Sequence, residues 1–257
     1  MKETLTVESL TLFRGRTCVA RDLSLRFEPG KVHVILGPNG AGKSSLLKAL
    51  FGELSPVGGT IRCGERMLER DGLKRWREVI GYMPQDTALE ASLTALEVVL
   101  LGKMDALGFH VDDETLALAV EAMRAVGIAH LADRDVLSLS GGQRQLTLFA
   151  QVLLRDPAIL LLDEPVSALD MRHQQVLLDL VHRQSRDHDR TSILVLHDLS
   201  LAAQYADQLV LIGDGTLKAA GPPAGVLLPE VIGEAYGLPV EILTDSAGAP
   251  VVRPLRL

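Results

Sequence analysis

Apolar and polar positions divide the chain into stretches of different period. Across residues 5–63 short segments alternate, as in Leu5-Thr6-Val7 and Leu23-Ser24-Leu25-Arg26-Phe27. A period of two predicts strands around a half-buried sheet. The apolar run Val32-His33-Val34-Ile35-Leu36 predicts a buried strand. A glycine-rich loop follows it, and then Ser45-Leu46-Leu47-Lys48-Ala49-Leu50-Phe51, a helix that Gly52 stops. Gly58-Gly59 predicts a turn before a strand at residues 60–63, and residues 79–83 form another strand, ended by Pro84. From about residue 94 to 154 the pattern is helical. Thr94 with Glu97 fits a capping box, and residues 115–126 predict a helix. From Ala158 onward strand and helix alternate, at residues 159–162, 172–185, 192–196, 199–205 and 208–212. That alternation predicts βαβ units and a mainly parallel sheet, with the middle of the chain as a helical insertion. After Pro222 a helix at residues 229–236 precedes extended residues.

The loop between the buried strand and its helix reads Gly37-Pro38-Asn39-Gly40-Ala41-Gly42-Lys43-Ser44, with Ser45 opening the helix. Strand, glycine loop and helix in this order make a phosphate-binding P-loop. Glycines let backbone N–H groups converge on phosphate oxygens, and the helix N-terminus adds partial positive charge. Lys43 is placed to reach the β- and γ-phosphates, and the Ser44 hydroxyl to hold Mg²⁺. The pattern implies that a nucleoside triphosphate binds here.

Ile159-Leu160-Leu161-Leu162 is followed by Asp163-Glu164-Pro165. An apolar run of this length predicts a strand buried on both faces, so the carboxylates stand at the sheet edge where α/β folds bind ligands. Asp163 is expected to organise Mg²⁺, and Glu164 to act as general base or to position the attacking water.

Composition narrows the class. At 257 residues the chain suits one large α/β domain or a core with an insertion. A net charge of −7 and few aromatics argue against a nucleic-acid partner. No run approaches the ~18 apolar residues of a membrane span, and Met1-Lys2-Glu3-Thr4 lacks a signal peptide's apolar core. A cytosolic chain is expected. Cys18 and Cys63 are isolated thiols, and His33, His110, His130, His173, His182 and His188 lack metal-ligand spacing.

Leu139-Ser140-Gly141-Gly142-Gln143-Arg144-Gln145 discriminates further. Ser140 with Gln143 satisfies a capping box for an amphipathic helix. A cap does not need two glycines in the first turn, where they weaken the helix, whereas an anion packed on the exposed N–H groups would. Leu-Ser-Gly-Gly-Gln is the signature of the ATP-binding cassette (ABC) family, and the chain resembles that family over residues 5–228. Gln85 resembles its Q-loop glutamine, linking the Mg²⁺/water site to a transmembrane partner. Ser167-Ala168-Leu169-Asp170 resembles the D-loop, in which Asp170 communicates across a dimer. His197-Asp198 resembles the switch that contacts the γ-phosphate. Phe13 stands where the family places an aromatic on adenine. Leu146 and Val166 replace a common arginine and threonine outside the expected phosphate contacts.

A narrower resemblance links residues 93–102, 169–174, 195–207 and 235–240 to ATPases of importers for ferric siderophores, haem and cobalamin. The resemblance implies a P-loop ATPase core (about residues 1–85 and 156–228), carrying an N-terminal antiparallel β subdomain. It also implies an inserted helical subdomain (86–155) and a C-terminal extension (229–257), all in one ABC ATPase domain. It implies a head-to-tail dimer in which each ATP lies between Lys43/Ser44 of one copy and Ser140/Gly142 of the other. The implied setting is peripheral, on the cytoplasmic face of the inner membrane. There a separate permease would dock on residues 85–103 through Leu89, Leu93 and Leu96, fed by an extracytoplasmic substrate-binding protein. Importers of other cargo and soluble ABC ATPases remain alternatives, although the latter's long coiled coil or second cassette is absent from the sequence.

Overall fold

A computed structural model describes residues 3–85, 92–106 and 111–256. Its centre is a six-stranded sheet in the order β10-β9-β3-β8-β7-β6, formed by β3 (Val32–Leu36), β6 (Ile80–Met83), β7 (Ile159–Asp163), β8 (Thr191–Val195), β9 (Gln208–Gly213) and β10 (Thr216–Gly221). All neighbours are parallel except β9 and β10. Every residue of β3, β7 and β8 is buried, as apolar runs without alternation require. Val34, Leu160 and Leu162 face one hydrophobic cluster, and Ile35, Ile159 and Leu161 face another. Each fully buried leucine or isoleucine stabilises by about 1.5–3 kcal/mol.

A second sheet, β2-β1-β4-β5, is antiparallel: β1 (Leu5–Arg14), β2 (Thr17–Phe27), β4 (Gly58–Cys63) and β5 (Arg66–Met67). It shares one cluster with α1 (Lys43–Phe51), through Phe27, Leu46, Leu50 and Ile61. Two short helices, α2 (Leu68–Asp71) and α3 (Leu73–Arg77), bring the buried Trp76 to the same cluster, its indole N–H on the Leu50 carbonyl at 2.9 Å. Neither these helices nor β10 carries a clear periodic signal, being too short or too polar.

The helical region holds α4 (Ala95–Leu100), α5 (Asp113–Ala125) and α6 (Gly141–Leu153), packed on the other cluster. The Thr94/Glu97 and Ser140/Gln143 capping boxes are both formed in each direction. Beyond them come α7 (Met171–His188) and α8 (Leu199–Tyr205). The C-terminal residues form α9 (Pro223–Val226), α10 (Pro229–Tyr236) and a hairpin of β11 (Val240–Thr244) with β12 (Pro250–Pro254). No helix among the described residues is long and apolar enough to cross a membrane.

Candidate functional site

The loop between β3 and α1 folds tightly because Gly42 adopts φ +97° and a Cβ there would lie 2.0 Å from the Val19 carbonyl oxygen. Lys43 is buried, and its ammonium donates to the carbonyls of Gly37 (2.8 Å) and Pro38 (3.0 Å). Burial pulls its pKa below the usual lysine value, opposed by the nearby charges of Glu164 and Asp163. Ala41 is buried and closes the loop by donating to the Pro38 carbonyl at 3.2 Å.

Asp163 ends β7 and accepts a hydrogen bond from the Ser44 hydroxyl at 3.0 Å. Burial raises its pKa above the ordinary aspartate value; the Ser44 hydrogen bond acts the other way. Glu164 follows at φ +50°, a left-handed conformation that a β-carbon disfavours and that is typical of residues held for function. Its carboxylate bridges two further residues. One oxygen lies 2.5 Å from the His197 Nε2, and the other accepts from the Gln85 amide at 2.7 Å.

Asn39, Gly40, Gly42, Lys43, Ser44, Ser45, Gln85, Glu164 and His197 line one cavity of about 490 Å³, together with Arg14 and Val19. The phosphate loop, Gln85, Glu164 and His197 are thus brought together, with Asp163 beside them through Ser44. Phe13 is not part of this wall, although it is surface-exposed at 38%. Pairing of β1 with β2 shifts register on both sides of Leu12, so alternation along β1 does not fix which way its last residues face. Arg14 and Val19 are wall residues the sequence did not reveal; the only trace of Val19 is the glycine its carbonyl demands at position 42.

Ser140, Gly141, Gly142, Gln143 and Asp170 do not reach the cavity of their own chain. The N-terminus of α6 is capped internally, Ser140 and Gln143 exchanging bonds of 3.1 and 3.3 Å. Asp170 caps α7 by accepting from the His173 N–H at 2.9 Å, and its carboxylate lies 2.8 Å from the His173 Nδ1. The imidazole packs on α6: a Cβ at Gly142 would sit 2.4 Å from the ring.

The anticipated permease anchors divide differently. Leu89 lies outside the described residues, while Leu93 and Leu96 are half-buried and pack against the core cluster of the helical region. A separate groove of about 260 Å³ runs between β6 and α6, lined by Phe51, Tyr82, Met83, Leu101, Leu148 and Val152 among others.

A family model described as ABC transporter matches residues 20–167. The hemin import ATP-binding protein of Rhodococcus jostii strain RHA1 is 38% identical over 98% of this chain and 87% of its own length. The ferric enterobactin transport ATP-binding protein of Escherichia coli K12 is 38% identical over 96% of this chain and 93% of its own. The cobalamin import ATP-binding protein of Halobacterium salinarum strain R1 is 37% identical over 98% and 64%. Among solved structures, one described as an inward-facing metal-chelate type ABC transporter superposes with a TM-score of 0.86, at 26% identity over 99% of this chain and 98% of that one. A dimeric post-hydrolysis cassette bound to ADP and phosphate superposes with a TM-score of 0.76, at 25% identity over 85% and 98%.

Proposed function

This chain belongs to the ABC transporter family, and on that premise we propose that it is the ATP-hydrolysing subunit of an importer for a haem, ferric siderophore or cobalamin-type compound. The carrying observation is that its site is divided. Lys43, Ser44, Glu164, Gln85 and His197 line one cavity with Asp163 on Ser44 beside them, while the N-terminus of α6, with Ser140 and Gly141 exposed, stands elsewhere on the same chain. An ATP on the phosphate loop meets that second half only when another copy supplies Ser140, Gly141, Gly142 and Gln143 head to tail, with Asp170 at the seam. ATP then closes a homodimer and hydrolysis reopens it, a ligand-biased two-state switch.

Lys43 and the loop N–H groups of Asn39, Gly40, Gly42, Lys43, Ser44 and Ser45, which line the cavity, hold the phosphates, and the base lies toward Arg14 and Val19. The donor set fits Mg²⁺, since Ser44 and Asp163 present hard oxygens side by side and Gln85 has an amide oxygen in reach. When bound, Mg²⁺ neutralises charge on the β- and γ-phosphate oxygens. Glu164 takes the proton of the water whose oxygen bonds to the γ-phosphorus, while the bond to the β-phosphate oxygen breaks and ADP leaves. His197, already on Glu164, orients that carboxylate and contacts the γ-phosphate. The core, helical subdomain and C-terminal extension divide near residues 86, 155 and 229. The chain sits on the cytoplasmic side of its permease, which receives cargo from an extracytoplasmic binding protein.

The test separates binding from turnover. Lys43→Ala removes a charge-assisted phosphate contact and should weaken ATP binding about ten- to a hundredfold. Glu164→Gln keeps shape and polarity but accepts no proton, so turnover should fall at least about a hundredfold with binding retained. Its ATP-bound form should elute as a dimer in size-exclusion chromatography. A Glu164→Gln chain hydrolysing ATP at the wild-type rate would remove Glu164 from this role.

A further inference from the structure

We infer that the C-terminal segment, α10 with the β11–β12 hairpin, is a positioning unit that grips the ATP site from behind at two points. Its first grip is the phenol of Tyr236, which accepts a hydrogen bond from the Gly37 N–H at 3.1 Å. Gly37 is the residue whose carbonyl accepts from the Lys43 ammonium, so one residue is held by Tyr236 through its N–H and by the phosphate-loop lysine through its carbonyl. Gly37 cannot shift freely to compensate. It sits at φ +149°, and a Cβ there would come within 2.1 Å of the Ile212 carbonyl oxygen. Burial pushes the Tyr236 pKa up to about 12, opposed by the Gly37 hydrogen bond, so the hydroxyl is neutral at working pH.

The second grip is at the other edge of the site. The Val252 N–H of β12 donates to the Ser200 hydroxyl at 3.0 Å. Ser200 lies in the first turn of α8, and its own N–H donates to Asp198 at 2.8 Å, the residue after His197. His197 in turn holds Glu164. The unit is itself anchored: Ile232 is fully buried, Val240 is buried, and Lys218 of β10 lies 3.0 Å from Glu234 of α10. A segment that only covered apolar surface would need its leucine, isoleucine and valine face. This one also places polar contacts on both sides of the nucleotide, one acting through Gly37 on Lys43 and one through Asp198 on His197.

The inference rests on the phosphate-loop reading above, and its test keeps the two apart. In the full chain, Tyr236→Phe removes the hydroxyl and keeps the ring. KM for ATP should rise about three- to tenfold with kcat within about twofold, the size expected for one lost hydrogen bond to a half-buried N–H. Ser200→Ala should instead lower kcat with KM near wild type, and Ser200→Thr, which keeps the hydroxyl, should restore it. Lys43→Ala is the control: unchanged ATP binding there would sink the phosphate-loop reading itself. With that control behaving, a wild-type KM in Tyr236→Phe would overturn the inference. So would equal losses in KM, kcat and thermal stability, which would mark a purely structural contact.

Discussion

Asp163 shows at the scale of one residue how stability is set against function. Burial at the end of β7 raises its pKa, and the hydrogen bond from Ser44 only partly offsets this. A carboxylate whose folded pKa lies above its unfolded value favours folding fully below the unfolded pKa, and that contribution is lost as pH rises through the folded pKa. At neutral pH the ionised Asp163 is therefore a cost to the nucleotide-free protein. Asp163→Asn, which can still accept from Ser44, should unfold about 1 kcal/mol harder than wild type at neutral pH while losing Mg-ATP turnover, a stability–activity trade-off. The difference should narrow as pH falls toward the ordinary aspartate range; a gap that widens on acidification would contradict the argument. Lys43, Ser44, Asp163 and Glu164 were legible because each is fixed by neighbours within a few positions, a glycine loop or the end of an apolar run. Arg14 was not, because the register of β1 on β2 shifts just before it, between Leu12 and Phe13, which the period of two does not show.

At the scale of elements, the capping boxes of α4 and α6 were readable from spacing alone, whereas the reason for Gly142 was only half visible. Exposed N–H groups at the start of α6 suit an anion, but the missing side chain also makes room for His173 of α7. The imidazole lies against the start of α6 and close to Asp170, so His173 is where α7 meets the first turn of α6. Propensity and packing then predict opposite signs for Gly142→Ala. Alanine favours the helix by up to about 1 kcal/mol, while overpacking against a ring 2.4 Å from its Cβ costs about 1–3 kcal/mol. Packing should win, displacing His173 and lowering ATPase activity about tenfold. His173→Ala in the same chain should recover most of it, because the ring is what the new methyl meets. Measured as a double-mutant cycle, additive effects would show that the two elements are not coupled here. An acidic residue at 142 is a poorer probe, since it would meet His173 before any phosphate.

For the whole molecule, the sheet order places the end of β6 beside the helical region, and sequence could not supply that, because parallel neighbours are paired by long-range register alone, from Ile159 with Thr191 to His33 with the far more distant Gln208. The consequence concerns the permease. An apolar groove between β6 and α6, rimmed by Gln151 and Arg155, has the apolar floor and polar edge that receive a helix, and Leu101 lines it half-buried. Leu93 sits nearby in sequence yet packs inward on the core. The two leucines should therefore fail in different ways when each is changed to glutamate. Leu93→Glu buries a charge against apolar neighbours and should destabilise the chain by about 2 kcal/mol or more, lowering its melting temperature and its ATPase together. Leu101→Glu should leave stability within about 1 kcal/mol and basal ATPase intact, while uptake by membranes carrying the permease falls, because the charge meets only the docked helix. Normal uptake with Leu101→Glu would place the docking surface elsewhere, and loss of its fold would assign Leu101 to the core alongside Leu93.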